Sequence, residues 1–277
     1  MKISAKEKKD LNNLIKELTG FQQRLSKFDY VKDREDFFKE MERFKGFIRK
    51  QADEKLYKNF EKSKSFPEFK RFFRKMEEYY ERTLEAIEAV GLMTQSRTNS
   101  SNINFFQHIS SKHVQVTYEQ IKNELNMIDL KKRKRFVMVG IGPLAESVLF
   151  LFENTDALKI VGLDNNQEAI HISSEMIKSI INTPRIELIH CDGADYDYKN
   201  EDVVLVANFC ARKSKVLDRI VETGKNGIQI ILREPVFLIN LIYREATSGI
   251  NPRLAIVDEI YFDKTKAKSL LLEKLDY

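Results

Sequence analysis

At Arg135 the hydrophobic pattern of this chain changes period, and that change limits the fold more than any other feature of the sequence. Before it, apolar residues recur every three or four positions. After it they gather in short unbroken runs, the first being Phe136-Val137-Met138-Val139, closed by Gly140. Such a run, ending in glycine, suits a strand buried on both faces. Further runs follow at 158–163, 186–189, 203–207 and 228–232, separated by helical spacing at 145–152, 167–181 and 213–223. Strand and helix alternation with right-handed crossovers predicts an α/β fold, a Rossmann-like doubly wound parallel sheet. The tail, 254–262 and 269–275, reads as a closing antiparallel pair at one edge.

The first part of the chain predicts a bundle of amphipathic helices. Leu11, Leu14, Ile15 and Leu18 share one face, as do Phe37, Phe38, Met41, Phe44 and Ile48. Ser65 ahead of Pro67 marks the start of a long helix through Phe72, Met76, Tyr79, Tyr80, Leu84 and Ile87. The polar stretch 94–102 reads as a loop, and a helix over 116–128 leads into the basic run Lys131-Lys132-Arg133-Lys134-Arg135. We expect an N-terminal all-α helical cap domain over 1–115 and a Rossmann-like domain over 116–277.

Charge decides little, since 47 basic residues against 42 acidic ones leave a net +5. The basic run fits a solvated lead-in to a buried strand better than a polyanion contact. Two cysteines, Cys191 and Cys210, are too few for a disulfide framework, and neither has a neighbour at metal-ligand spacing. The charged start Met1–Lys9 carries no apolar leader and no window approaches a membrane span, so the expected location is cytoplasmic.

Candidate chemistry gathers where the apolar runs end. Gly140-Ile141-Gly142-Pro143-Leu144 closes the first run and opens a helix, a place where glycine lets backbone approach a ligand. Asp164, followed by Asn165, ends the second run about 22 residues beyond Gly142, where an acid can accept from ribose hydroxyls. Asp192 and Gly193 follow the third, where methyltransferase-like folds place an acid or amide beside the adenine amino group. Asn208 and Phe209 follow the fourth, where a donor's amino-acid moiety would lie. These signals fit one adenosyl ligand, and dehydrogenases use the same scaffold.

The Gly-x-Gly-Pro-Leu turn, the strand Ile230-Ile231-Leu232-Arg233 and the following 236–243 segment together resemble the nicotianamine synthase family, over about residues 70 to 262. The resemblance implies a class I S-adenosylmethionine-binding fold under a helical cap, the fifth strand leading into an aliphatic–aromatic helix. It also implies S-adenosylmethionine as co-substrate, donating its 3-amino-3-carboxypropyl group to an amine and releasing 5′-methylthioadenosine. The chain looks closer to the bacterial branch of staphylopine- and pseudopaline-type metallophore biosynthesis, whose acceptor is histidine, D-histidine included. That chemistry needs a base and no metal. Among the cap-helix carboxylates Glu77, Glu81, Glu85 and Glu88, Glu81 comes first and Glu85 second, with Tyr80 beside them. Tyr118 and His108 or His113 are candidates to line the acceptor pocket. Arg233 is open between pairing with a substrate carboxylate and pairing with Glu234 or Asp258. The expected partner is a small amino-acid acceptor, with no nucleic acid and no membrane; a homodimer is allowed.

Two other readings share these residues. A methyltransferase acting on a small molecule or RNA would use the same adenosyl site. A non-catalytic module could bind nucleic acid through its basic helices, although their charges alternate in sign and form no basic stripe.

Overall fold

The computed structural model describes residues 4–51, 53–98, 112–181, 183–246, 249–263 and 265–275. Its contacts divide the chain into two compact units, Met1–Glu81 with Pro235–Tyr243, and Arg82–Glu234 with Arg244–Tyr277.

The first unit is helical. α1 (Ala5–Leu25) starts at a capping box in which Ser4 and Glu7 satisfy each other's backbone N–H groups. α2 (Arg34–Lys50), α3 (Glu54–Glu61) and the first half of α4 (Phe66–Thr98) complete the bundle. Their apolar stripes meet in an aromatic core of Phe21, Phe37, Phe44, Phe60, Phe69 and Phe73. Phe44 and Phe73 stack at 4.0 Å. The segment after the fifth strand belongs to this unit, held where Arg74 Nη2 donates to Asn240 Oδ1 at 2.9 Å and to the Tyr243 carbonyl at 2.9 Å.

The second unit is a seven-stranded sheet in the order β3-β2-β1-β4-β5-β7-β6. Its strands are β1 (Arg135–Val139), β2 (Lys159–Asp164), β3 (Ile186–His190), β4 (Val203–Val206), β5 (Gln229–Pro235), β6 (Leu254–Phe262) and β7 (Ala267–Lys274). The first five pair in parallel and β6 with β7 antiparallel, as the apolar runs predict. Around the sheet lie α5 (Lys112–Leu125), α6 (Glu146–Asn154), α7 (Gln167–Ile180) and α8 (Lys213–Thr223). Side chains alternate between two cores: Phe136, Met138, Val203 and Leu205 enter one, Val137, Val139, Val204 and Val206 the other. This is the period-two pattern of a sheet covered on both faces.

Two expectations change. Residues 94–98, expected as loop, continue α4, because no glycine or proline after Gly91 breaks the helix. The expected helix after β5 is a 3-10 turn over Phe237–Leu241, entered with Phe237 in the left-handed region at φ 51°. Within α4 the contacts divide at residue 81. Ala89 and Leu92, further along α4, pack into the sheet core with Tyr118, Ile121 and Leu125, so this half of the helix goes with the second unit. Among the described residues no helix is long and apolar enough to cross a membrane.

Candidate active site

The carboxyl ends of β1 and β2 build one turn cooperatively. Gly140 and Gly142 take φ values of 83° and 64°, a region costly to any side chain with a Cβ, so the glycines are required by the backbone itself. Leu144 is buried in the core and anchors the turn from beneath, and Pro143 is buried beside it. Asp164 clasps the turn: its Oδ2 accepts the Gly142 N–H at 3.0 Å and its Oδ1 accepts the Asn166 N–H at 2.8 Å. Asn166 in turn caps α7. Asn165 lends its carbonyl to His190 Nε2 at 3.2 Å, joining the ends of β2 and β3.

Glu85 lies directly over this turn. A methyl group built on Gly142 would sit 2.0 Å from its Oε2, so the glycine leaves the space that the carboxylate fills. Thus a side chain from α4 and the glycine turn after β1 meet at one point of the second unit. At the end of β4, Asn208 is half-buried and its Oδ1 is a buried acceptor without a donor, while its carbonyl accepts the Arg244 N–H at 2.9 Å. A buried amide oxygen left unmatched costs about 1–3 kcal/mol, which a bound donor would recover. Phe209 follows, half-buried in the same turn.

Asp192 stands at the end of β3. Its Oδ1 accepts the Ala194 N–H at 2.9 Å, and its Oδ2 accepts from Arg212 Nε at 3.0 Å and lies 2.7 Å from Arg212 Nη2. Gly193 has a packing reason to be glycine, since a Cβ there would fall 2.6 Å from Val139 Cγ1, and its carbonyl accepts the Tyr198 hydroxyl at 2.7 Å. The sheet's rim therefore carries Gly142, Asp164, Asp192 and Asn208 on successive strand ends, with Glu85 above the first.

Glu81 has a different environment, in the helical unit. Lys45 of α2 extends its ammonium to Glu77 Oε1 at 2.9 Å and to Glu81 Oε1 at 2.6 Å, and all three side chains are buried. The same ammonium lies 4.5 Å from the Tyr80 ring centroid, and the Tyr80 hydroxyl donates to Glu42 at 2.6 Å. One ammonium shared by two carboxylates cannot hold both ionised without water. Burial, helped by the negative charge of Glu81, therefore pushes Glu77 up to about 7 against the pull of Lys45. Both carboxylates keep Lys45 protonated well above its usual range despite burial.

Other candidates are dispersed. The Tyr118 ring packs edge-on against Phe150 and its hydroxyl donates to Glu153 at 3.3 Å; burial, then Glu153, raise its pKa. Arg233 is an ion-pair partner of Glu124. Its Nε and Nη2 donate to the two oxygens of Glu124, each at 2.8 Å, a buried fork joining β5 to α5. His108 lies outside the described residues, as does the His113 side chain. The sequence reading missed Lys45 and Arg212. Lys45 had a signal: it falls on the apolar stripe of α2, four residues after Met41 and three before Ile48. Arg212 had none, because only folding brings it to Asp192. Among the described residues no group of three acidic, histidine or cysteine side chains is placed to hold a metal.

No protein-family model matches the chain, and no curated protein does. Solved structures of the nicotianamine synthase MtNAS do. A Glu-to-Gln mutant in complex with S-adenosylmethionine aligns with a TM-score of 0.76 at 17% identity, over 94% of this chain and 97% of that one. MtNAS in complex with MTA and tNA gives 0.78 at 18%, over 95% and 98%. A further structure of the mutant gives 0.74 at 17%, over 99% and 100%. At this identity the likeness establishes the fold, helical portion included. The strand order, with its antiparallel β6–β7 pair, is that of the class I S-adenosylmethionine-dependent methyltransferase fold.

Proposed function

We propose that this chain is an S-adenosylmethionine-dependent transferase that moves the 3-amino-3-carboxypropyl group to the amino group of an amino acid and releases 5′-methylthioadenosine. The single observation that carries the reading is the Glu85 carboxylate seated over Gly142, a base at the rim where an adenosyl donor would lie. The likeness to MtNAS, solved with S-adenosylmethionine and with MTA, supports it. For the acceptor we favour histidine, in either hand, and a place in opine-metallophore biosynthesis; both rest on the family resemblance.

The rim residues fit such a donor. Asp164 spends one acceptor position of each oxygen on backbone and keeps one on each for a pair of ribose hydroxyls. Asp192 can receive the adenine amino group, and the unmatched Asn208 Oδ1 can receive the donor's ammonium. S-adenosylmethionine, when bound, supplies a methylene carbon already activated by its sulfonium. Glu85 takes the proton of the acceptor's ammonium, so that the nitrogen lone pair is free to form the new N–C bond. The C–S bond breaks as that bond forms, and its electron pair leaves with the neutral thioether. Holding the reactants in line supplies most of the remaining acceleration.

The test is product identity. Enzyme incubated with S-adenosylmethionine and a panel of D- and L-amino acids should release methylthioadenosine, with an acceptor heavier by one aminocarboxypropyl unit in mass spectra. Release of S-adenosylhomocysteine alone would assign a methyltransferase. Asp164→Ala should weaken S-adenosylmethionine binding, read by calorimetry, by about one to two orders of magnitude, as expected for lost charge-assisted hydrogen bonds.

A further inference from the structure

Asp164 and Asp192 offer the same functional group at neighbouring strand ends, and what distinguishes them is how each is already used. An ionised carboxylate has roughly four acceptor positions, two per oxygen. Asp164 gives one per oxygen to backbone N–H groups, leaving two, side by side. On Asp192, Ala194 takes one position of Oδ1, while Arg212 covers Oδ2 with both Nε and Nη2. Only one position then remains, on Oδ1. A carboxylate reduced to a single acceptor suits a single exocyclic amine and not a diol.

From this we infer that Arg212 is the positioning residue that makes Asp192 selective for an adenine amino group. The inference rests on the proposed adenosyl site and goes beyond it by naming what sets base specificity there. Arg212 is suited to the task because its planar guanidinium binds from the side, fixing the rotation of the carboxylate. Its second contact, Nη2 to Asp195 Oδ2 at 3.4 Å, holds the fork from across the same loop. The backbone of that loop is fixed independently: the Cys191 N–H donates to the Asp164 carbonyl at 3.0 Å, and Tyr198 holds Gly193. The arginine side chain is 41% exposed, so its removal leaves the core intact. With Arg212 gone, Asp192 regains both acceptors on Oδ2 and free rotation, and no longer holds one oriented acceptor towards the amine, so the preference for the amine narrows.

Calorimetry with 5′-methylthioadenosine and with its deaminated inosine counterpart, on the full chain, tests this. Wild type should prefer the adenosine compound. Arg212→Ala should bind it about tenfold more weakly, the equivalent of about one charge-assisted hydrogen bond, with inosine binding little changed and the melting temperature held. Arg212→Lys should recover part of the preference, and in turnover KM for S-adenosylmethionine should rise while kcat holds. An Arg212→Ala protein with wild-type affinity and preference overturns the inference, as does one that loses both nucleosides equally. Wild type binding neither nucleoside would instead reject the adenosyl site, and the inference with it.

Discussion

Glu85→Gln is expected to lower the rate of methylthioadenosine release by about 10²–10⁴-fold, the usual contribution of a positioned general base, while S-adenosylmethionine still binds. The change is isosteric, so the space over Gly142 stays filled and only the capacity to accept a proton is lost. Single-turnover release of methylthioadenosine with a saturating acceptor identified in the amino-acid panel reads the rate, and calorimetry reads the binding. Raising the pH should rescue the variant in part, since a larger share of the acceptor is then unprotonated before it binds. Should Glu81→Gln, and not Glu85→Gln, collapse turnover with binding intact, the base role passes to Glu81.

Lys45→Met should destabilise the helical unit by about 3–5 kcal/mol, because it strands Glu77 and Glu81 in a dry interior without their cation. Urea denaturation followed by far-UV circular dichroism measures it; a loss below about 1 kcal/mol, the range of surface pairs, would mean that water reaches the cluster. Glu77 gives the same cluster a pH signature. Its folded-state value is raised from 4.5 to about 7, so between these values the folded protein keeps a proton that the unfolded chain releases. Unfolding then releases a proton, and stability falls as pH rises through that window before levelling off above it. Glu77→Gln should remove this contribution. The stability difference between wild type and variant, measured at pH 5 and pH 8, should therefore shift against wild type at the higher pH. The groups facing Glu77 that could modify the slope are Lys45 and Glu81, with Tyr243 across the cluster. An unchanged difference would mean that Glu77 is already ionised at pH 5.

Much of the sheet was legible because burial on two faces leaves no room for polar residues. Phe136–Val139 and Val203–Ala207 could be read as strands from composition alone, with ends within a residue or two of those observed. The glycine turn was legible for a related reason, since left-handed backbone at Gly140 and Gly142 restricts the residue type. Helix α4 was harder. Its periodic pattern runs unbroken past residue 81, and periodicity reports that a face is buried without saying against what. Phe69, Phe73 and Met76 pack in the helical core while Ala89 and Leu92 pack in the sheet core.

Glu77, Glu81 and Glu85 show the limit most clearly. At four-residue spacing on a charged helix, all three resemble a solvated ladder. Two of them are buried against a lysine 32 and 36 positions away, and the third covers a glycine 57 positions on. Arg233 and Asp192 repeat the lesson, their partners Glu124 and Arg212 being unforeseeable from spacing.

What this sequence determined by itself is therefore its local order: which segments are strands, which are helices, and where backbone must turn without a side chain. Those follow from periodicity and steric exclusion, which act between near neighbours. Tertiary structure alone decided the ionic pairings and the roles of the carboxylates, because charge interactions depend on distance and on exclusion of water, and both are set only when remote segments meet.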